Sequence, residues 1–183
     1  SKQEGRVSEV IDDAAYRRLV EQEAASIVRR RGDLVITQTR HGFICANAGA
    51  DRSNVANGMA VLLPIDPDRS AHRLRTRIER AAGVSIGLIV TDTFGRPWRR
   101  GLVDVAIGVS GTRVIDDLRG TFDTFGNELD VTEVAVVDEI AAAADLVMGK
   151  ATAIPVAIVR GLSLSGDGRA VDIVRPPGED MFR

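Results

Sequence analysis

Two aspartates, Asp51 and Asp92, have the clearest potential for chemistry in this chain. Each follows a strand-like segment and has oxygen-bearing neighbours: Ser53 and Asn54 come after the first, and Thr93 comes after the second. Carboxylate and hydroxyl oxygens are ligands that Mg²⁺ and Mn²⁺ prefer, and such ions bridge a protein to phosphate groups. Surface aspartates in turns are also common, because their side chains hydrogen-bond to the nearby backbone. The residues alone leave both interpretations open.

A basic segment follows Asp92 directly. Arg96, Arg99 and Arg100 surround Trp98, the only tryptophan of the chain. Guanidinium groups bind phosphates and carboxylates in a bidentate manner, so a carboxylate beside three arginines suits a phosphorylated substrate held through a metal ion. The same arginines could instead form structural ion pairs with nearby acidic residues.

Hydrophobic periodicity predicts the elements of the first half. Residues 12–31 have apolar side chains at helical spacing and are expected to form one amphipathic helix. Residues 34–39 and 43–46 are expected to form a hairpin. Asp66–Pro67 has the order of residues that is typical of a helix start, and a second helix is predicted from there.

The second half also mixes strands with a helix. Two β-branched runs, 86–90 and 103–109, predict strands on either side of the segment after Asp92, which is therefore expected to be a loop. A helix is predicted over 131–148 and a last strand over 155–159. Because strands and helices follow without a regular βαβ order, the predicted fold class is α+β.

The composition is that of an ordinary globular domain. The 183 residues are 44% hydrophobic with a net charge of −2, so there is enough apolar material for a core and no basic excess that would indicate nucleic-acid binding. The single cysteine, Cys45, excludes an intrachain disulfide, and together with two histidines it cannot complete a typical structural zinc site. Its apolar neighbours predict a buried thiol. No apolar run is long enough to cross a bilayer, so the expected location is the cytoplasm.

The sequence lacks the common glycine-rich motifs for phosphate binding. Gly149 and Lys150 resemble the end of a P-loop, but the earlier glycine and the following Ser or Thr are missing. A helix end with a favourable cation is the better interpretation of these two residues. A bound nucleotide would have to be held by other residues.

Four stretches in a fixed order resemble one known family. They are residues 1–6, 48–55, 91–99 and 128–139. Together they resemble the coenzyme F420-0:L-glutamate ligases, the γ-glutamyl ligases of deazaflavin coenzyme biosynthesis, over about residues 1–161. The resemblance implies a mixed-sheet α+β fold that assembles as an intertwined homodimer.

The resemblance also implies a reaction. Members of the family join the amine of L-glutamate to the terminal carboxylate of coenzyme F420-0, or of a dehydro precursor, and consume GTP; later rounds add γ-linked glutamates. The implied route passes through an acyl phosphate, because a carboxylate is a poor electrophile until it is activated. Mg²⁺ or Mn²⁺ would stabilise charge on the transferring phosphoryl group, and K⁺ is a further candidate ion.

Candidate site residues follow from the resemblance by position. Asp51 and Asp92 correspond to catalytic ligands of one divalent ion, and Thr93 corresponds to a ligand of a second ion. Lys2 and Asn54 correspond to nucleotide contacts. Carboxylates and a hydroxyl suit Mg²⁺ or Mn²⁺, and a lysine offers a point charge to phosphate.

Two residues of the basic segment are added as candidates on their chemistry. Arg96 and Arg99 could bind the phosphodiester or the carboxylates of the acceptor. Pairing with nearby acids of the fold is an equally good interpretation of both.

The resemblance suggests a domain organisation. Residues 1–165 correspond to a ligase domain that lacks the segment with which members of the family begin. Residues 166–183 correspond to a tail or linker toward a flavin domain, which follows in two-domain members. Pro176–Pro177 is typical of such a linker.

Two other functions remain open at this point. A different metal-dependent phosphotransferase could use the same aspartates, and it would turn over GTP or ATP without a deazaflavin acceptor. Alternatively, the chain could be a non-catalytic dimerisation scaffold, for which Asp92 would be dispensable.

Overall fold

The computed structural model describes residues 6–181. Within this range the elements follow in the order β1 (Arg6–Glu9), α1 (Asp13–Glu23), β2 (Ala24–Arg31), β3 (Leu34–Thr39), β4 (Ile44–Ala46), β5 (Met59–Leu62), α2 (Pro67–Ala82), β6 (Leu88–Arg96), β7 (Arg99–Ser110), β8 (Asp116–Asp117), β9 (Glu133–Val134) and α3 (Val136–Met148). The strands pair as β1–β5, β2–β3–β4, β6–β7 and β8–β9, always antiparallel.

The α+β class is confirmed, whereas the expected mixed sheet is wrong for the described residues. None of the helices in this range is long and apolar enough to cross a membrane.

The first predicted helix is in fact a helix followed by a strand. α1 ends at Glu23, and the chain continues directly into β2. β2 pairs with β3 through the two-residue connection Gly32–Asp33, a loop length typical of β-hairpins. The prediction of one helix over 12–31 is wrong because the β-branched pair Ile27 and Val28 favours an extended backbone, and pairing with β3 outweighs an apolar spacing that also fits a helix.

The segment around Asp92 is a strand and not a loop. β6 and β7 form a hairpin joined at Pro97–Trp98, where Trp98 has a φ of 61°. Proline followed by a residue with positive φ is the pattern of a type II turn. The loop prediction is wrong because the polar residues after Val90 continue the ladder with β7. Asp92 therefore lies within β6, opposite Val105.

α2 packs against β7 where the strand has a glycine. Asp66 caps the helix by accepting a hydrogen bond from the backbone, which confirms the predicted helix start. A Cβ atom on Gly108 would lie 2.4 Å from the Pro67 carbonyl oxygen, so only glycine permits this approach. Asp68 stabilises the contact between α2 and β7 by accepting a 2.8 Å hydrogen bond from the Val109 amide.

α3 also packs on β7. It begins at Val136 rather than at residue 131, because Glu133–Val134 pairs with β8 instead of joining the helix. In its first turn, Asp138 accepts a 2.8 Å hydrogen bond from the Ala106 amide. Burial raises the pKa of this carboxyl. The contact fixes the helix on the strand that lies opposite Asp92.

The main core lies between β7, its flanking helices and the segment after residue 165. Its buried members are Phe43, Leu63, Ala106, Ile107, Val109, Val114, Val137 and Ala170. Ile173 and Val174 pack against this cluster. The residues assigned to a tail by sequence thus contribute to the core up to Val174, and the division at residue 165 stays a prediction.

Residues 153–160 run without assigned secondary structure. The strand predicted over 155–159 is therefore not formed in the described chain. Its apolar side chains are exposed, with Val156 at 70% and Ile158 at 78%. Within one copy of the described residues, no helix or strand covers these apolar side chains.

Candidate active site

Asp51 lies where a tight turn meets β5. Its backbone exchanges two hydrogen bonds with Val61, of 3.0 and 2.8 Å. The preceding turn is anchored on α1, because the Tyr16 hydroxyl donates a 2.7 Å hydrogen bond to the Ala50 carbonyl. The amide and the hydroxyl of Ser53 donate to the two oxygens of the Asp51 carboxylate, at 2.8 and 2.5 Å. These contacts fix the direction of the carboxylate.

Among the carboxyls of this site, Asp92 has the pKa that its surroundings shift most. Burial raises the pKa of Asp92 to about 6, and the Thr93 amide opposes this by donating a 2.8 Å hydrogen bond to Oδ1. The charge of Asp51 raises the same pKa further. The two carboxylates that the sequence singled out therefore influence each other electrostatically, although 41 positions separate them in the sequence.

A lysine stands beside these aspartates. Nζ of Lys150 lies 3.5 Å from Oδ2 of Asp51, across 99 positions of sequence. Burial alone would raise the pKa of Asp51, but the hydrogen bonds from Ser53 and the charge of Lys150 hold it below its ordinary value. Lys150 also opposes the rise in the pKa of Asp92. The local pattern assigned Lys150 to a helix end, and only the family resemblance implied that this position lies near a second divalent ion.

Asn54 joins the Asp51 loop to the end of α3. Its Nδ2 donates a 3.2 Å hydrogen bond to the Lys150 carbonyl. Asn54 has a φ of 54°, a left-handed conformation that asparagine adopts more readily than most residues. Direct contacts therefore join Asp51, Asn54 and Lys150, and the charges of Asp51 and Lys150 also act on the pKa of Asp92.

Thr93 is directed to the opposite face of β6 from Asp92. Its hydroxyl donates a 2.7 Å hydrogen bond to Oδ1 of Asp104, and the Thr91 hydroxyl donates a 2.9 Å bond to Oδ2. Asp104 is only 6% exposed. Sequence reasoning missed Asp104, although a lone carboxylate in the apolar run 103–109 was a signal that it needs buried hydrogen-bond partners.

Two of the predicted binding residues, Arg96 and Arg99, are not brought to the aspartates, and a third lies outside the described residues. Arg96 and Arg99 are exposed and face each other at the end of the β6–β7 hairpin. Arg96 comes four residues after Asp92, which corresponds to about 13 Å along a strand. Lys2 lies outside the described residues. The roles of these three residues stay predictions.

Asp51 and Asp92 fit a hard divalent ion. They are carboxylates on different elements; burial and, to a lesser extent, the charge of Asp51 raise the pKa of Asp92, and a bound cation would favour the ionised form of both carboxyls. The nearby thiol of Cys45 is a poor competitor, because burial raises its pKa to about 12. Across residues 6–181, no three or more His, Cys, Asp or Glu side chains are grouped as metal ligands. Magnesium sites built on one or two carboxylates commonly complete their coordination with water and substrate phosphates.

A cavity of about 170 Å³ opens beside Phe94, two residues after Asp92, and its lining is mainly apolar but includes Arg175 and Asp180. Its walls include Phe43, Val105 and Ile173. The rings of Phe43 and Phe94 meet at 61° with their centres 6.3 Å apart, an edge-to-face contact. Such walls suit one edge of a flat aromatic ligand.

Comparison with known families agrees with this site. The family model described as F420-0:Gamma-glutamyl ligase matches residues 6–161. The chain belongs to this family. The matched range includes Asp51, Asn54, Asp92 and Lys150, and the resemblance inferred from the sequence is confirmed.

Curated relatives carry the same family name. The coenzyme F420:L-glutamate ligase of Methanocaldococcus jannaschii is 47% identical over 163 residues, covering 88% of this chain and 65% of the relative. That of Methanopyrus kandleri is 49% identical over 168 residues, covering 88% and 67%. That of Methanococcus maripaludis is 40% identical over 185 residues, covering 100% and 72%. The chain thus spans about two thirds of the length of these F420:L-glutamate ligases.

Proposed function

We propose that this protein is a GTP-dependent ligase that joins L-glutamate to coenzyme F420-0, or to its dehydro precursor, through an amide bond. The observation that carries the proposal is the family match over residues 6–161, which includes the carboxylates Asp51 and Asp92. The named relatives support the substrates, since each is called a coenzyme F420:L-glutamate ligase. Further γ-linked glutamates would be added in the same way. We place the enzyme in the cytoplasm, where GTP is available.

The proposed chemistry has two steps. A carboxylate oxygen of the acceptor attacks the γ-phosphorus of GTP, the bond from that phosphorus to the β,γ-bridging oxygen breaks, and GDP leaves. The amine of glutamate then attacks the acyl carbon, the carbon–oxygen bond to phosphate breaks, and the amine nitrogen loses a proton. Activation as an acyl phosphate supplies the leaving group that a free carboxylate lacks.

The side chains of the site have distinct roles in this proposal. Asp51 and Asp92 hold Mg²⁺ or Mn²⁺, which when bound neutralises charge on the transferring phosphoryl group. Asn54 contacts the nucleotide from the loop that carries Asp51. Arg96 and Arg99 meet anionic parts of the acceptor at the hairpin end. Lys2 and K⁺ remain further proposed contributors to nucleotide binding.

The cavity beside Phe94 offers a place for the acceptor. The deazaflavin is a flat aromatic ring system, and the edge-to-face pair of Phe43 and Phe94 presents apolar surface to such a ring. A volume of about 170 Å³ accommodates part of that ring.

A homodimer is part of the proposal. The exposed apolar side chains of residues 153–162, together with Ile27 and Val28 of β2, form surface that a second copy of the chain could cover. Intertwining of the two copies would let this extended segment pair with its partner. Light scattering coupled to gel filtration is expected to give twice the mass of the chain, and a monomer at micromolar concentration would contradict this part of the proposal.

An isotope experiment tests the chemistry directly. F420-0 with oxygen-18 in its terminal carboxylate is incubated with the protein, GTP, Mn²⁺ and L-glutamate. The proposal expects glutamylated product and one oxygen-18 atom in the released phosphate, because that oxygen forms the acyl phosphate. Product accompanied by unlabelled phosphate would overturn the acyl-phosphate route. GTP turnover that does not depend on the acceptor would favour the phosphotransferase alternative.

A further inference from the structure

The cavity beside Phe94 has walls from two separate parts of the chain. One wall belongs to the range that the family model matches, residues 6–161, and contains Phe43, Phe94 and Val105. The other wall lies after that range, and its members are Ile173, Val174, Arg175 and Asp180. The segment that the sequence assigned to a tail or linker therefore forms part of the cavity.

The cavity lies on the same face of the β6–β7 hairpin as Asp92. Side chains two residues apart on a strand share a face, so the Phe94 ring is on the Asp92 side of β6. Val105 is the cross-strand partner of Asp92, and cross-strand partners also share a face. A ring bound in the cavity would thus lie on the side of the hairpin that carries the candidate carboxylate.

The wall that follows residue 161 is anchored to the rest of the fold. The Ala170 amide donates a 3.0 Å hydrogen bond to Oδ1 of Asp68 on α2, and Ala170 is only 1% exposed. A Cβ atom on Gly42 would lie 3.3 Å from Cγ1 of Val174, so Val174 packs directly on the turn between β3 and β4. A wall that is already in position loses little conformational entropy when a ligand binds.

The aromatic wall is held in position as well. The His41 ring stacks on Phe43 with the ring centres 5.5 Å apart and the planes inclined by 21°. Nε2 of His41 lies 3.1 Å from the Ile65 carbonyl oxygen and donates to it, because a carbonyl can only accept. Phe43 in turn meets Phe94 edge to face. Both walls of the cavity are therefore preformed for a flat ligand.

Two charged residues interrupt the apolar lining and indicate which edge of a ligand meets them. Arg175 offers hydrogen-bond donors, and Asp180 offers acceptors. A deazaflavin ring system ends in an imide, an N–H group between two carbonyl groups, which needs both kinds of partner. Guanine, by contrast, has hydrogen-bonding atoms around most of its edge, and mainly apolar walls would leave many of them unpaired.

We propose that residues 173–180 recognise the deazaflavin ring of the acceptor. The inference rests on the proposed function for the identity of that ring. Arg175 donates a hydrogen bond to an imide carbonyl oxygen, Asp180 accepts one from the imide N–H, and Ile173 and Val174 cover the apolar part of the ring. The segment after residue 161 is then part of the substrate site rather than a linker.

The binding of two probes tests this without turnover. F420-0 has the ring and an acidic tail, whereas 5-deazariboflavin has the ring without phosphate or carboxylate. Each probe is titrated into the purified protein and followed by its fluorescence, without nucleotide and again with GDP and Mg²⁺. In Arg175→Met we expect both probes to bind about tenfold more weakly, since a hydrogen bond from a charged donor is lost. Asp180→Ala is expected to weaken the binding of both probes about threefold.

The matched controls are Arg80→Met and Glu179→Ala, which remove exposed charges that do not line the cavity. They are expected to leave both affinities unchanged. Weaker binding of F420-0 alone in Arg175→Met would overturn the proposal, because the arginine would then contact the acidic tail. Unchanged affinities for both probes in Arg175→Met and Asp180→Ala would overturn it too, as would displacement of 5-deazariboflavin by guanosine.

Glutamate transfer to F420-0 is measured with the same preparations and separates this inference from the proposed function. Absence of transfer by the folded, unsubstituted protein, alongside the expected changes in binding, would overturn the proposed function and leave the ring site supported. Transfer by the unsubstituted protein, alongside unchanged binding in both cavity variants, would overturn the ring site and leave the proposed function supported.

Discussion

The Thr93 hydroxyl donates a 2.7 Å hydrogen bond to Oδ1 of Asp104. Thr93 and the preceding Asp92 thus lie on opposite faces of β6, and Thr93 holds a buried carboxylate. Alternation of side chains along a strand produces this division. It separates the structural and the proposed catalytic roles of two consecutive residues, and each role can be tested by itself.

Replacing Thr93 is expected to affect stability more than metal binding. Thr93→Val leaves one oxygen of the buried Asp104 carboxylate without its partner, which we expect to cost about 1–3 kcal/mol in the free energy of unfolding. Thr93→Ser keeps the hydroxyl and serves as the matched control. Urea denaturation measures the stability, and Mn²⁺ titration measures the site. Intact stability with loss of Mn²⁺ binding in Thr93→Val would show instead that Thr93 is a metal ligand.

The ion pair of Arg6 and Glu23 predicts a defined pH dependence of stability. Two bonds of 2.6 and 2.7 Å join them, and the hydrogen bond from Arg6 lowers the pKa of Glu23 below 4.5. A lowered folded-state pKa means that the contribution to stability is present above about pH 4.5 and is lost as the pH falls through the folded value. We expect Glu23→Gln to cost about 1–2 kcal/mol at pH 7 and much less at pH 3.

The control for Glu23 is Glu21→Gln. Glu21 pairs with Arg30 at 3.2 Å, and both side chains are about half exposed, so solvent screening leaves this pair with a contribution of about 0–1 kcal/mol. Thermal or urea unfolding at several pH values measures both variants. Equal losses in the free energy of unfolding for Glu23→Gln and Glu21→Gln at pH 7 would contradict the larger contribution expected from the Arg6–Glu23 pair.

Two glycines of the same hairpin should respond differently to alanine. A Cβ on Gly108 would lie 2.4 Å from the backbone of Pro67, whereas the nearest atom to a Cβ on Gly95 is a Leu102 methyl at 3.9 Å. We expect Gly108→Ala to destabilise the protein by about 2 kcal/mol or more, because α2 must move away from β7. Gly95→Ala is expected to change stability by less than about 0.5 kcal/mol. Similar melting temperatures for both variants would show that α2 does not pack closely against Gly108.

Cys45 should be unreactive in the folded protein. Its side chain is 4% exposed, and burial together with the charge of Asp92 raises its pKa to about 12. Since the thiolate is the nucleophile, a disulfide reagent at pH 8 is expected to label the native protein far more slowly than the urea-unfolded chain. Rapid labelling of native protein would indicate that β4 opens easily beside the site.

The sequence predicted the α+β class and several elements, because their signals are local. The Asp66–Pro67 start of α2 and the β3–β4 hairpin depend on neighbours in sequence, and both are present. The predicted end of the helix over 12–31 was wrong, because the pairing of β2 with β3 is a tertiary interaction that the spacing of apolar residues does not indicate. The loop assigned to Asp92 was wrong for the same reason, because pairing with β7 extends β6 through polar residues.

The residues of the candidate site were likewise predicted only in part from the sequence. Asp51, Asn54 and Asp92 were proposed from residue type and family resemblance, and their roles stay predictions. Lys150 was assigned to a helix end because its contact spans 99 positions, a distance over which local pattern gives no information. Asp104 was overlooked, although a carboxylate within an apolar strand must be hydrogen-bonded when it is buried.

The most direct test of the proposed function is glutamate transfer to F420-0, followed by mass spectrometry. The unsubstituted protein with GTP, Mn²⁺ and L-glutamate is compared with Asp51→Asn, Asp92→Asn and the exposed-residue control Asp167→Asn, all with circular dichroism and melting temperature recorded. We predict glutamylated F420-0 from the unsubstituted protein and the control, and at least about a hundredfold slower formation from both site variants with the fold retained. No product from the folded, Mn²⁺-loaded protein, or full activity in either site variant, would contradict the account.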